Sequence, residues 1–201
     1  MLNLYLAARS GAALRLDAVV EFLKENGFIG ELSAEVEYPP GPDVARMFDA
    51  NAHEELLPAE LTFEALRVVQ RPRAVFIPEL QPVEFFRGAT CTRCGDDIDL
   101  EPLGRALAEI AFRPVTRFTY TCPGCRDALL VTDIDFGQPT SVTRHWIYLE
   151  AVGTSRLAPR VVDALSKVAG APLVVVPERP EPEFNEPVVM RKPGRRGGWG
   201  K

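Results

Sequence analysis

Four cysteines arranged as two Cys-x-x-Cys pairs limit the possible folds of this chain more than any other feature of its sequence. The pairs are Cys91-Thr-Arg-Cys94 and Cys122-Pro-Gly-Cys125, with 27 residues between them. Two residues between cysteines let a tight turn point both sulfurs at one ion from the same side, and Gly95 and Gly124 favour such turns. Four thiolates complete the tetrahedral coordination that Zn²⁺ prefers. The sequence therefore predicts one zinc ion that organises the middle of the chain.

A site with four thiolates leaves no coordination position for a substrate or a water molecule. The predicted zinc is therefore structural rather than catalytic. Other interpretations of the same cysteines stay open at this point, including cysteines that bind no metal. Iron fits the same sulfur cage, since four-sulfur geometry accepts both metals. Paired redox thiols of the thioredoxin kind are another interpretation. Such thiols belong to one Cys-x-x-Cys motif at the start of a helix that follows a strand.

The hydrophobic pattern predicts an α+β fold, with a mixed or antiparallel sheet and two or three helices. The predicted helices run from the N-cap Asp17 to Gly27, over 101–112, and from Pro159 to Gly170. The predicted strands are 2–8, 32–38, 63–70, 74–77, 115–121, 128–136, 145–152 and 173–176. Arg71-Pro72-Arg73 is interpreted as a hairpin turn between two of these strands, and Pro102 suits the first position of its helix. Residues 43–61 are ambiguous.

These elements divide the chain into four parts. Residues 1–87 form an N-terminal α+β part, 88–136 a cysteine module interrupted by a helix, 137–177 a strand-helix-strand part that completes the fold, and 178–201 a tail that is first rich in proline and then basic. The first and last strands are expected to pair and to close the sheet around the module. The tail has little to bury, so it is predicted to be disordered in isolation.

The segment around the cysteines, about residues 88–136, resembles the zinc-ribbon group. In that group two cysteine turns carried on β-hairpins share one ion. The resemblance implies that the metal ligands are Cys91, Cys94, Cys122 and Cys125. The helix between the two turns departs from the minimal ribbon and leaves the hairpin pairing undecided. Because the group includes many activities, the resemblance transfers no function.

The charge of the chain is unevenly distributed. Residues 191–201 carry five basic side chains and no acidic one, and these are Arg191, Lys192, Arg195, Arg196 and Lys201. The other 190 residues hold 18 of the 23 Lys and Arg and all 28 Asp and Glu, which gives this body a net charge near −10. A body this acidic repels phosphate backbones and suits partners with basic surfaces. The alternative interpretation is that the excess of acidic side chains only keeps the protein soluble.

The hydrophobic segments are short. No apolar run approaches the roughly 20 residues that cross a bilayer, and the apolar N-terminus lacks the basic leader of a secretory signal. We therefore expect a cytoplasmic protein.

Few residues are candidates for catalysis. His53 and His145 stand in contexts without a nucleophile elbow or an oxyanion signature, so they are interpreted as a surface residue and a strand-edge residue. Asp133 and Asp135 are predicted to share one face of a strand, where paired carboxylates can hold Mg²⁺. No phosphate-binding glycine-rich loop accompanies them, so the wet face of a strand is the favoured interpretation. A further acidic cluster, interpreted as the N-cap region of the next helix, comprises Asp96, Asp97 and Asp99.

Three functions are compatible with this sequence. The first is a non-enzymatic bacterial adaptor or inhibitor, such as a toxin-immunity protein, because an acidic body can cap a basic partner. The second is a nucleic-acid-associated regulator that uses the zinc module and the basic tail, whose Arg-Gly-Gly-Trp is similar to part of an RNA-contacting tail. The third is a metal-dependent hydrolase that uses Asp133 and Asp135.

Overall fold

The computed structural model describes residues 2–8, 12–33, 37–49, 61–78, 86, 88–110, 118–154 and 156–178. Its strands are β1 (Leu2–Ala8), β2 (Glu37–Tyr38), β3 (Ala65–Ile77), β4 (Thr90–Cys91), β5 (Tyr120–Thr121), β6 (Ala128–Leu129), β7 (Ile134–Asp135), β8 (Ser141–Val152) and β9 (Leu173–Pro177). Its α-helices are α1 (Leu16–Glu25), α2 (Leu100–Ile110) and α3 (Pro159–Ala169). Three helices with antiparallel sheets confirm the predicted α+β class.

The main sheet has five antiparallel strands in the order β2-β3-β8-β1-β9. If the short β2 is set aside, its strands and helices follow one another as β1-α1-β3-β8-α3-β9, the connectivity of a split βαβ arrangement. The cysteines lie in the long connection between β3 and β8. The module is therefore an insertion into one hairpin of the sheet.

The first and last strands pair as predicted, because β1 lies between β8 and β9. Its register runs from Leu4↔Pro177 to Ala8↔Leu173 against β9. The expectation that this pairing closes the sheet around the module is wrong. The side chains that pack against the module come from the other strands, as Phe76 of β3 and Val142 of β8 show.

The hydrophobic core lies between one face of the sheet and the two helices α1 and α3, which contact each other. It includes Leu4, Leu6, Leu66, Ile147 and Leu149 from the sheet and Val19, Leu23, Val161 and Leu165 from the helices. The helical residues follow the three-and-four spacing that places them on one side of each helix. Burial of each such side chain stabilises the folded state by about 1.5–3 kcal/mol. This layer therefore stabilises the sheet into which the cysteine module is inserted.

The ends of the helices follow local sequence signals with two exceptions. Gly27 and Gly170 have the left-handed φ values of +68° and +81° predicted for residues after a helix, and α3 begins at Pro159 as predicted. The N-cap of α1 is Arg15 rather than Asp17, whose carboxylate lies in the first turn and favours the helix dipole. Pro102 is the third residue of α2 rather than the first.

The predicted hairpin at Arg71-Pro72-Arg73 is wrong. Residues 65–77 form one continuous strand, because β8 is long enough to pair with β3 on both sides of these residues. The register shifts between Gln70 and Val75, which places the proline in a bulge. A proline lacks an N–H group, and a bulge is where a strand tolerates that loss.

Several predicted strands are shorter than expected or lie partly outside the described residues. Of 32–38, the strand comprises Glu37–Tyr38, residues 34–36 are outside, and Leu32 is 51% exposed rather than half-buried. The predicted strand 128–136 is divided into β6, a 3₁₀ helix at Val131–Asp133 and β7. The ambiguous segment contains a 3₁₀ helix at Val44–Met47, and residues 50–60 are outside. Residues 111–117 and 179–201 are also outside, so the tail prediction stays untested.

Candidate metal centre

The first cysteine turn is built by backbone hydrogen bonds around Cys91. The N–H of Gly95 donates to the carbonyl of Cys91 at 2.8 Å, and the N–H of Cys91 donates to the carbonyl of Asp96 at 2.9 Å. Gly95 has a φ of +77°, a conformation that glycine adopts without steric cost. This glycine therefore lets the chain turn back directly after the second cysteine.

The second cysteine turn repeats this geometry. The N–H of Arg126 donates to the carbonyl of Cys122 at 3.0 Å, and the N–H of Cys122 donates to the carbonyl of Asp127 at 2.9 Å. Arg126 takes the place of the glycine and has a φ of +65°. The role of Arg126 was not predicted from the sequence, although its position directly after a Cys-x-x-Cys pair matches that of Gly95.

The two turns bring all four sulfurs together, so that they lie within 4.8 Å of one another. The distance between the sulfurs of Cys94 and Cys122 is 3.6 Å. A tetrahedral ion with metal–sulfur bonds of about 2.3 Å holds its sulfurs about 3.8 Å apart. A disulfide requires about 2.05 Å, and all four cysteines are free. The cluster thus fits a single tetrahedral metal ion.

The cysteines differ in exposure and in proton affinity. Cys91 and Cys122 are buried, Cys125 is partly buried and Cys94 is exposed. Burial raises the pKa of the Cys122 thiol, but the backbone N–H groups of Cys125 and Gly124 donate to its sulfur and bring the pKa down to about 7. The N–H of Asp127 lowers the pKa of Cys125, and burial and the neighbouring sulfurs outweigh it and raise that pKa to about 12. The backbone N–H groups of the second turn therefore favour the thiolate of Cys122, the form of cysteine that binds a metal.

A small hydrophobic core supports the cysteine turns. It comprises Phe86, Ile98, Leu103, Phe118, Leu129, Val131, Ile134 and Phe136, together with the buried Cys91 and Cys122. The ring centroid of Phe136 lies 4.7 Å from that of Phe86 and 5.3 Å from that of Phe76, a residue of β3. These three rings join the module to the main sheet.

A second link, made of polar groups, ties the two halves of the module together. The guanidinium of Arg93, inside the first turn, donates to the carboxylate of Asp133 at 2.8 Å and lies 3.6 Å from that of Asp127. The Asp133 carboxylate also accepts the N–H of Leu130 at 3.0 Å. Arg93 thus connects the first turn to residues that follow the second.

This arrangement corrects the prediction that Asp133 and Asp135 share a strand face. Asp133 ends a 3₁₀ helix, and only Asp135 belongs to β7. The carboxylate of Asp135 accepts the N–H of Gly137 at 2.9 Å, which stabilises the turn after β7. Both carboxylates therefore have structural hydrogen bonds.

The acidic cluster beside the first turn has structural partners as well. The Asp99 carboxylate accepts the N–H of Glu101 at 3.0 Å, which confirms its predicted place at the start of α2. Asp97 forms an isolated bridge with Thr90. The Asp96 carboxylate lies against Gly124, where a Cβ would stand 1.6 Å from its Oδ2. The absence of a side chain at Gly124 in the second turn therefore leaves space for the Asp96 carboxylate beside the first turn.

The structure places the histidines away from this cluster or outside the described residues. His145 lies in the central strand β8 opposite Gln70, not at a sheet edge, and its backbone N–H donates to the hydroxyl of Thr143 at 3.1 Å. His53 lies outside the described residues, as do the five basic residues of the tail. Neither cysteine pair begins a helix, because α2 starts six residues after Cys94. That geometry differs from the thioredoxin arrangement.

The four cysteines define the class of this protein as one with a four-cysteine cluster whose sulfurs lie at metal-binding distance from one another. Comparisons with models of protein families, with curated proteins and with solved structures found no match to the chain. Within the described residues, no helix is long and apolar enough to cross a membrane.

Proposed function

We propose that this chain is a cytoplasmic, non-enzymatic protein that binds one structural Zn²⁺ and acts by binding another protein. The observation that carries the proposal is the cluster of four sulfurs, which includes every cysteine of the chain. Zinc favours four thiolates in a tetrahedron, and such a set leaves it no open position for a reacting water. The ion then contributes folding energy to the small module, and the function belongs to the surface.

The surface of α1 supports a basic protein as the partner. Asp17, Glu21 and Glu25 are exposed, and their four-residue spacing places them along one side of the helix. They line a groove of about 540 Å³ between the helix and the sheet. Carboxylates on one wall of a groove attract a basic surface and speed its association.

The rest of this groove offers apolar contact. Val20, Tyr38 and Val68 line it, and each is partly buried. Lys24 is the basic residue among the lining side chains, and its Nζ forms an ion pair with Oε2 of Glu31 at 2.7 Å. A basic side chain with a long aliphatic stem, such as lysine or arginine, suits both the apolar floor and the acidic wall. An inhibitor of a basic protein, for instance a bacterial toxin-immunity protein, is the specific role that we propose.

The experiment that tests this proposal compares two charge-matched variants. Asp17→Asn/Glu21→Gln/Glu25→Gln removes the acidic wall, and Glu64→Gln/Glu101→Gln/Asp163→Asn removes the same charge from exposed sites elsewhere. Each full-length, zinc-loaded protein is used as bait in a native lysate of its source organism, and bound proteins are identified by mass spectrometry. The proposal predicts one basic protein in about equimolar amount, lost with the first variant and kept by the second. No stoichiometric partner, or equal loss with both variants, would contradict it.

The basic residues of the tail favour a second candidate, a nucleic-acid-associated regulator. Five positive charges attract phosphates in a salt-dependent way, and the acidic body opposes them. Binding of a nucleic acid is measured at two salt concentrations for the full chain and for a chain without residues 191–201. Unchanged affinity and salt dependence after the deletion would exclude a role for the tail. The third hypothesis, a hydrolase, loses support because Asp133 and Asp135 have structural partners.

A further inference from the structure

A group of three exposed arginines lies on the main sheet. Arg71 and Arg73 belong to β3, and Arg144 belongs to β8. The register of the two strands pairs Gln70 with His145 and then Val75 with Thr143. Four residues of β3 therefore lie opposite Arg144 alone, so that the three arginines lie within this bulge or directly opposite it. We call this group the arginine bulge.

Within the described residues, no carboxylate pairs with the charges of the arginine bulge. Arg67 on the same strand is different, because it lies 2.7 Å from Glu37 and 2.8 Å from Glu150. Like charges on neighbouring strands destabilise a sheet, and an anionic ligand would relieve this repulsion.

One of the three arginines is already oriented. The guanidinium of Arg71 lies 5.9 Å from the ring centroid of Trp146, and stacking on an aromatic face restrains an arginine side chain. A restrained guanidinium loses less entropy when it forms two parallel hydrogen bonds to an oxyanion. Pro72 between Arg71 and Arg73 limits the backbone further.

The surroundings favour carboxylates of a protein over a nucleic-acid chain. Trp146 is only 2% exposed, so its ring is not open for a base to stack on. The positive charge is confined to one bulge, whereas the body as a whole is acidic and repels a long polyphosphate. A short segment with two or three carboxylates matches the size and charge of the bulge.

We propose that the arginine bulge is a docking site for an acidic segment of a protein. It is distinct from the groove lined by Asp17, Glu21 and Glu25, for which we propose a basic partner, and it does not depend on that proposal. Two surfaces of opposite sign would let the protein contact two partners, or two parts of one partner, at the same time.

The test uses the full-length, zinc-loaded protein and a fluorescein-labelled hexaglutamate peptide, with fluorescence anisotropy at about 20 mM salt, where screening is weak. Arg71→Gln/Arg73→Gln/Arg144→Gln removes the site. Arg105→Gln/Arg156→Gln/Arg160→Gln removes the same charge from other exposed positions and keeps the basic tail. Arg71→Lys/Arg73→Lys/Arg144→Lys keeps the charge without the planar fork and serves if the glutamine variant does not fold.

We expect the peptide to bind the original protein, the first variant to weaken binding at least about tenfold, and the second to change it less than about threefold. The lysine variant should fall between them, because lysine forms no bidentate pair. The proposal is overturned by absence of binding, by equal weakening in the two glutamine variants, or by full binding in the lysine variant. It is also overturned if an oligothymidylate of equal charge binds the bulge more tightly than the peptide does.

Discussion

The contact between the module and the sheet depends on Phe136, which gives a direct test of the fold. This side chain is 1% exposed, and its ring contacts those of Phe76 and Phe86. Phe136→Ala removes a buried aromatic side chain, a change that costs about 3–5 kcal/mol. Part of that cost is the loss of two aromatic pairs, each worth about 0.5–1.5 kcal/mol. Because whole domains have about 5–15 kcal/mol of stability, the variant should fold with little margin.

The assay is urea unfolding of the zinc-loaded protein, followed in a Trp199→Phe background so that Trp146 of β8 is the only tryptophan. Because Trp146 lies in the sheet, its fluorescence reports whether loss of a ring in the module weakens the sheet. We expect the free energy of unfolding to fall by about 4 kcal/mol for Phe136→Ala. Phe136→Leu keeps a buried apolar group but loses both aromatic pairs, so it should lower the free energy of unfolding by about 1–3 kcal/mol, less than Phe136→Ala does.

The matched control is Leu130→Ala, since Leu130 is in the same module and is 49% exposed. This variant should change the free energy of unfolding by less than about 1 kcal/mol. If Phe136→Ala costs no more than the control, the three rings do not connect the module to the sheet, and the reasoning above is refuted.

The remaining predictions concern the metal, one backbone position and one titrating group. Removal of the metal with a chelator should destabilise the module, because the free energy of metal binding then no longer contributes to its folding. Hydrogen exchange should then rise around β4 to β7 and stay slow in the main sheet. Arg126→Gly should raise the free energy of unfolding by up to about 1 kcal/mol, since its φ of +65° is strained for arginine, and urea unfolding measures this. Burial, and then the charges of Glu178 and Glu150, raise the pKa of Tyr148 to about 12. The neutral phenol thus favours the folded state below pH 10, and this stability is lost as the pH rises towards 12. The free energy of unfolding of Tyr148→Phe should lack that alkaline decrease. If the variant and the original protein show the same dependence of this free energy on pH, the prediction is contradicted.

Local signals allowed much of the architecture to be predicted from the sequence. Gly27, Pro159 and Gly170 mark helix boundaries because they impose a backbone conformation that needs no distant partner. The two Cys-x-x-Cys pairs indicated the cluster for the same reason, since their spacing alone determines how each turn presents its sulfurs.

The failures occurred where distant residues decide the local structure. Arg71-Pro72-Arg73 has the composition of a turn, and it lies in a strand because β8 pairs with both of its flanks. Asp133 was interpreted as a strand residue, but its carboxylate is held by Arg93, 40 residues away in the sequence. Leu32 was placed in a half-buried strand by its alternating pattern and is exposed. In each case the partner that decides the structure cannot be read from the neighbouring sequence.

The central claim is that one closed zinc site organises the module. X-ray absorption at the zinc edge, combined with metal analysis of the purified protein, tests it most directly. We expect one zinc per chain with four sulfurs at about 2.3 Å and no lighter ligand atom. An oxygen or nitrogen in the coordination shell, or thiols recovered as disulfides without bound metal, would contradict it.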